Sequence, residues 1–107
     1  MIGSFQAVKH ICADMLVRAE VARAAVYAAG VILDDPSAGD ASRAVASARL
    51  LAAEAAVANG KADIQVHGGM GYTWEVDAHL SLKRAVLLQT RFGSNDEWAE
   101  SIARTLA

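Results

Sequence analysis

The chain has 107 residues, which allows one small domain, and its formal net charge is −2 with acidic and basic residues interspersed. That balance excludes the basic face a nucleic-acid partner needs. Hydrophobic residues make up 54% of the chain but aromatic ones only 6%. Alanine carries the difference, and alanine favours helix because it loses no rotamer freedom there. One cysteine, Cys12, excludes an internal disulfide, so a reducing, cytoplasmic setting is the reading. Lys9 and His10 interrupt anything resembling a signal peptide. Arg18, Glu20 and Arg23 break the first apolar stretch and Arg49 and Glu54 the second, so no membrane span is expected.

The elements expected are four helices in an all-α, antiparallel up-down bundle over residues 1–107. The first opens at Ser4, a good N-cap, and runs to about Ala29. Phe5, Val8, Cys12, Met15, Ala22 and Val26 fall on its apolar face, with Lys9, Arg18 and Glu20 largely off it. Gly30 lies near its end, and the polar turn Asp34–Gly39 follows. Asp40 caps a long Ala-rich helix to roughly Val66, whose small residues on both sides suggest more than one close neighbour. Gly60 inside it reads as a mild loss, on the order of 1 kcal/mol relative to alanine.

The run His67-Gly68-Gly69-Met70-Gly71-Tyr72 reads as a loop, since its glycines remove Cβ atoms and permit positive φ. Thr73 caps a third helix with Glu75 in its first turn. Leu80, Leu82, Val86, Leu87 and Phe92 are its main apolar residues, and Gly93 reads as its C′ stop. Ser94 and Glu97 form a capping-box pattern for the last helix, where Trp98, Ile102 and Leu106 share a stripe.

Three features carry possible chemistry. The glycine loop, preceded by Gln65, could bring backbone N–H groups close to a phosphate or ribose. It could equally be a plain helix-to-helix turn, and composition favours that, because glycine is the usual helix stop. It follows no predicted strand, so a dinucleotide-fold reading is poor. Glu75 and His79, four apart on one helix, are compatible with a metal. Two further inward ligands would be needed and no pattern supplies them, so a polar helix face is preferred and no metal is assigned. Cys12 reads as a small buried hydrophobe rather than a nucleophile.

The residue strings go further. Ile2-Gly3-Ser4-Phe5-Gln6-Ala7-Val8-Lys9-His10, followed by Ala13-Asp14-Met15, resembles the IGxFQAxKHxxADM helix start of acyl-CoA dehydrogenases. Gln65-Val66-His67-Gly68-Gly69-Met70-Gly71-Tyr72-Thr73 resembles that family's QxHGGxGYT signature, and the two lie one long helical hairpin apart. The resemblance covers essentially the whole chain. It implies the C-terminal helical domain of a FAD-dependent enzyme that introduces a 2,3-double bond into an acyl-CoA.

By the same resemblance, the Gln-x-x-Gly-Gly segment contacts the ADP part of FAD bound mainly by a neighbouring subunit. That role falls on Gln65 and Gly69, with Val66, His67 and Gly68 lining the turn. Ser94, Asn95 and Asp96 lie near the cofactor, and Phe92 and Gly93 border the acyl thioester. Homo- or hetero-oligomers and an electron-transfer partner are implied as well.

Two departures qualify these expectations. The chain begins at the family's second bundle helix, so the first helix, an Arg-containing FAD contact and the middle β-domain fall outside it. The glutamate that many members place before the glycine, to remove the α-proton, is here Phe92, which accepts no proton. Some branches carry that base on the first bundle helix, and others pair active with inactive subunits. The expectation is therefore no catalytic residue in this chain, no activity in isolation, and weak or absent FAD binding by the chain alone. A rival reading from another class is a non-catalytic helical oligomerisation module.

Overall fold

A computed structural model of the chain describes residues 6–68 and 78–106. Four α-helices account for nearly all of them: α1 (Gln6–Asp34), α2 (Ala41–His67), α3 (Ala78–Gln89) and α4 (Asn95–Leu106), with a 3-10 turn at Pro36–Ala38. Among the described residues there is no strand.

The α1–α2 hairpin follows from local chemistry at its turn. Asp35 accepts from the Ser37 N–H at 3.1 Å and the Ser37 hydroxyl at 2.6 Å, closing the turn that Pro36 begins. Asp40 then caps α2, its carboxylate accepting from the Arg43 N–H at 3.0 Å. The face α1 turns to α2 is Val8, Ile11, Met15, Arg18, Ala22, Ala25, Ala29 and Ile32, all buried or half-buried. Their alternating spacing of three and four is the seam of two helices lying nearly parallel in axis.

α2 is the central helix, and its small side chains let others approach it from more than one direction. Its buried positions are Ala46, Ala48, Ala55, Gly60, Ala62 and Ile64. α3 passes Gly60 at Leu82, and α4 lies along the N-terminal stretch of α2. There Arg43 donates to the Thr105 hydroxyl at 2.8 Å and to the Thr105 carbonyl at 2.7 Å. At the α1–α2 seam, Arg18 Nε donates to Asn59 Oδ1 at 2.8 Å, and Asn59 Nδ2 donates to the Met15 carbonyl at 2.9 Å.

Several expectations change. α1 continues through Gly30 to Asp34, because propagation past one glycine loses less than breaking a long packed helix would. Cys12 is exposed rather than buried, and Val26 is 46% exposed, since the seam runs through Ile11 and Ala25 instead. Arg18 lies on the packed face, where Asn59 accepts its proton. Gly60 is a site of close approach rather than a simple loss of helix propensity. His67 is the last residue of α2, not a loop residue. The expected caps Ser4 and Thr73, with Phe5, Gly69, Met70, Gly71, Tyr72 and Glu75, lie outside the described residues.

The molecule is open. Its radius of gyration is 16.3 Å, against about 13 Å for a compact chain of this length. Its accessible surface is 7188 Å², against roughly 5700 Å² for a compact monomer of this mass. Among the described residues no large side chain is fully buried, and the core is seven alanines and Ile64. α1 instead exposes Leu16, Val17, Tyr27, Val31 and Leu33. No helix among the described residues is long and apolar enough to cross a membrane.

Candidate functional site

The site residues expected from sequence fall into two groups at different places along α2. The first is the C-terminal end of that helix. Gln65 and His67 are exposed and Val66 is half-buried. In the tautomer protonated on Nδ1, His67 donates back to the Asp63 carbonyl at 2.8 Å, and the Asp63 carboxylate lies 3.3 Å from the same nitrogen. Gly68 ends the helix at φ +65, with its N–H donating to the Gln65 carbonyl. A Cβ there would meet nothing within 4 Å, so the glycine is required by conformation, and its backbone lies open.

This end of α2 is the negative pole of the helix, which disfavours an anion. The Gly68 N–H is taken by the Gln65 carbonyl, so among the described residues phosphate recognition here would have to come from the Gln65 side-chain amide, not from the helix dipole. The exposed Gln65 side chain can donate to or accept from a group presented from outside the chain.

The second group is the α3–α4 turn. α3 ends with Thr90 and Arg91 N–H groups bonding back to the Leu87 and Leu88 carbonyls at 3.2 and 3.1 Å. Phe92 then adopts φ +62 and Gly93 φ +107. Left-handed backbone is ordinary for glycine and strained for a bulky aromatic residue. Phe92 is also 86% exposed, so no burial offsets that strain. Gly93 is thus not the immediate stop of α3 but the second residue of a left-handed pair. A Cβ on it would stand 3.1 Å from Glu97 Oε2 and 3.5 Å from Trp98 Nε1.

Ser94 caps α4 as its pattern implies. The Glu97 N–H donates to Ser94 Oγ at 3.2 Å, and that hydroxyl lies 3.3 Å from the Glu97 carboxylate. Asn95 is half-buried and Asp96 exposed in the first turn, where a negative charge is favourable. The two residues join Gly93, Ser94 and Glu97 in lining a shallow depression. The Trp98 Nε1 atom is buried beside Gly93 and has no hydrogen-bond partner among the described residues.

One residue of this second group was not anticipated as a site residue. Arg49 reaches from α2 into the turn, and its Nη2 donates to the Gln89, Arg91 and Gly93 carbonyls at 2.6, 3.0 and 3.3 Å. Nη1 lies 3.5 Å from Asn95 Oδ1. The signal in the sequence was slight: a single cation set in an alanine-rich run that otherwise reads as core. Its partners are forty or more positions away, beyond any local pattern.

The two groups do not meet. Gln65 lies sixteen positions along α2 from Arg49, about 24 Å of axial rise. No three His, Cys, Asp or Glu residues cluster as a metal site among the described residues.

Residues 1–107 match the family model described as acyl-CoA dehydrogenase, C-terminal domain. The chain is 46% identical over 101 residues to acyl-CoA dehydrogenase FadE34 of Mycobacterium tuberculosis, covering 94% of this chain and 14% of that protein. It is 44% identical over 84 residues to acyl-CoA dehydrogenase IpdE2 of Mycolicibacterium smegmatis, covering 78% of this chain and 25% of the relative. In structure it resembles a chain from a study of an electron transferring flavoprotein of Acidaminococcus fermentans, with a TM-score of 0.90 and 30% identity, over 98% of this chain and 27% of the other. The chain therefore spans about a quarter or less of the length of these relatives.

Proposed function

Since this chain belongs to the acyl-CoA dehydrogenase family as its C-terminal helical domain, we propose that it serves a FAD-dependent α,β-dehydrogenation of an acyl-CoA thioester at two separate places. Gln65 to Gly69 contact the ADP part of FAD held mainly by a neighbouring subunit. The turn from Phe92 to Asp96 borders the chain's own acyl thioester and cofactor. The observation that carries this reading is the separation of the two groups along α2, about 24 Å from Arg49 to Gln65. Two groups held this far apart suit an assembly in which one chain contributes to two sites.

When bound, the flavin supplies the acceptor for the β-hydrogen. The contribution of this chain is binding and placement. The Gln65 amide and Gly68 backbone offer polar contacts for a nucleotide from outside. Ser94 and Arg49 hold the α3–α4 turn in shape. Phe92 offers no proton acceptor, so position 92 does not supply the base that removes the α-proton. Oligomerisation follows from the same reading, and the exposed apolar residues of α1 supply a surface for it.

The test is co-expression with the upstream domains of the parent protein. A yellow, flavin-loaded complex that oxidises an acyl-CoA with an artificial acceptor is expected. Gln65→Ala should lower its flavin content, whereas the 107-residue chain alone should bind FAD more weakly than micromolar, about −8 kcal/mol. A colourless complex would favour a helical oligomerisation module instead.

A further inference from the structure

We propose that Arg49 is a positioning residue for the α3–α4 turn: its guanidinium holds residue 92 in a left-handed conformation, with the side chain directed into solvent and toward whatever binds there. The inference rests on the reading of this turn as the border of the acyl thioester.

The argument begins with where the hydrogen bonds fall. The backbone bonds that close α3 end at Arg91, and those that open α4 begin at Ser94. Among the described residues, the bonds that span Phe92 are those of Arg49, which takes the Arg91 carbonyl on one side and the Gly93 carbonyl on the other. An ordinary helix C-cap would stop at the last helical carbonyls, here represented by Gln89. Arg49 goes past them and brackets the strained residue.

Electrostatics gives the reason. Three carbonyl oxygens drawn around one point repel one another, and a left-handed aromatic residue adds strain. A guanidinium offsets both, because it stays charged throughout the accessible pH range and offers several donors in a rigid fork. It is half-buried, which strengthens those contacts relative to water. The anchor is also rigid: Arg49 stands on the central helix between the buried Ala48 and the half-buried Leu50 and Leu51. The turn is thus referenced to α2, not to its own flexible sequence. Strain held in place this way, with the side chain left 86% exposed, is the mark of a residue displayed for a ligand.

Arg49→Met and Arg49→Lys test this in two stages. In the 107-residue chain, backbone chemical shifts of Phe92 and Gly93 report the left-handed conformation. Arg49→Met should lose it and speed amide exchange across the turn at least tenfold, while Arg49→Lys should retain most of it through its three donors. If the methionine variant does not fold, the lysine variant and Phe92→Gly/Arg49→Met carry the comparison, since glycine at position 92 removes the strain that needs holding.

In the flavin-loaded complex, Arg49→Met should raise the KM for acyl-CoA and lower kcat by fivefold or more. Flavin content should fall less than in Gln65→Ala, because the Gln65 end of α2 is remote from Arg49, and lysine should rescue both constants in part. A Phe92 that keeps its left-handed shifts without Arg49, or kinetic constants within twofold of the parent, overturns the proposal. A complex with no acyl-CoA oxidation in any form overturns the reading of the site, while the shifts of Phe92 still decide the role of Arg49.

Discussion

A Cβ at Gly60 would stand 3.1 Å from the Cα of Leu82, so the absence of one side chain on α2 sets how closely α3 can approach. Because the obstacle is backbone, it cannot rotate aside. Gly60→Ala should therefore destabilise the fold by about 1–3 kcal/mol despite its better helix propensity. Gly30, where a Cβ would meet nothing within 4 Å, is the control. Gly30→Ala should stabilise by roughly 0.5–1 kcal/mol. Thermal unfolding followed by circular dichroism checks both, and the opposite ordering of the two midpoints would contradict the packing argument.

The Arg18–Asn59–Met15 chain is the polar lock of the α1–α2 seam. Removing Asn59 leaves the half-buried Arg18 Nε without its partner and takes the second bond from the Met15 carbonyl, which keeps its helical one. Asn59→Ala should lose about 1–3 kcal/mol. The Arg18→Met/Asn59→Ala pair should lose less than the sum of the singles, with a coupling of about 0.5–3 kcal/mol in a double-mutant cycle. Strict additivity in urea unfolding would show that the two side chains act independently.

Phe92 combines a left-handed φ of 62 with near-complete exposure. Phe92→Gly should leave the fold unharmed or stabilise it by on the order of 1 kcal/mol, since glycine adopts this conformation without the Cβ penalty. In the flavin-loaded complex the same substitution should weaken acyl-CoA binding. A stability loss above about 1 kcal/mol would mean that the ring is packed rather than displayed.

Ser94 meets the Glu97 N–H at 3.2 Å at the start of α4. Ser94→Ala should cost about 1 kcal/mol and Ser94→Asp should cost little, because a carboxylate also caps and suits the helix N-terminus. Hydrogen exchange localised to residues 95–98 is the measurement. Uniform loss of protection across all helices would point to global unfolding instead.

α1 exposes Leu16, Val17, Tyr27, Val31 and Leu33. Surfaces of this kind drive association. The isolated chain should self-associate at high concentration, and Leu16→Glu with Tyr27→Lys should shift it toward monomer. Light scattering across a dilution series reads this, and a parent chain that stays monomeric throughout would contradict it.

The sequence by itself determined what local chemistry controls. Alanine content and three-four spacing specified helices, Asp40 and Ser94 marked starts that the structure bears out, and the strings around Phe5 and Gln65 pointed to the family. Small residues on both sides of α2 announced more than one neighbour. What the tertiary structure alone decided is which of several near-equivalent helix faces is buried. Cys12 and Ile11 are adjacent and both apolar, so periodicity could not choose between them; contact with α2 selected Ile11. Gly30 and Gly60 are the same residue in the same kind of helix, yet only Gly60 meets another backbone. Arg49 looked like a charge interrupting an apolar run, and its role depends on carbonyls forty or more positions away. Propensity and capping act within one helical turn, whereas packing and long-range hydrogen bonds exist only once the helices are side by side.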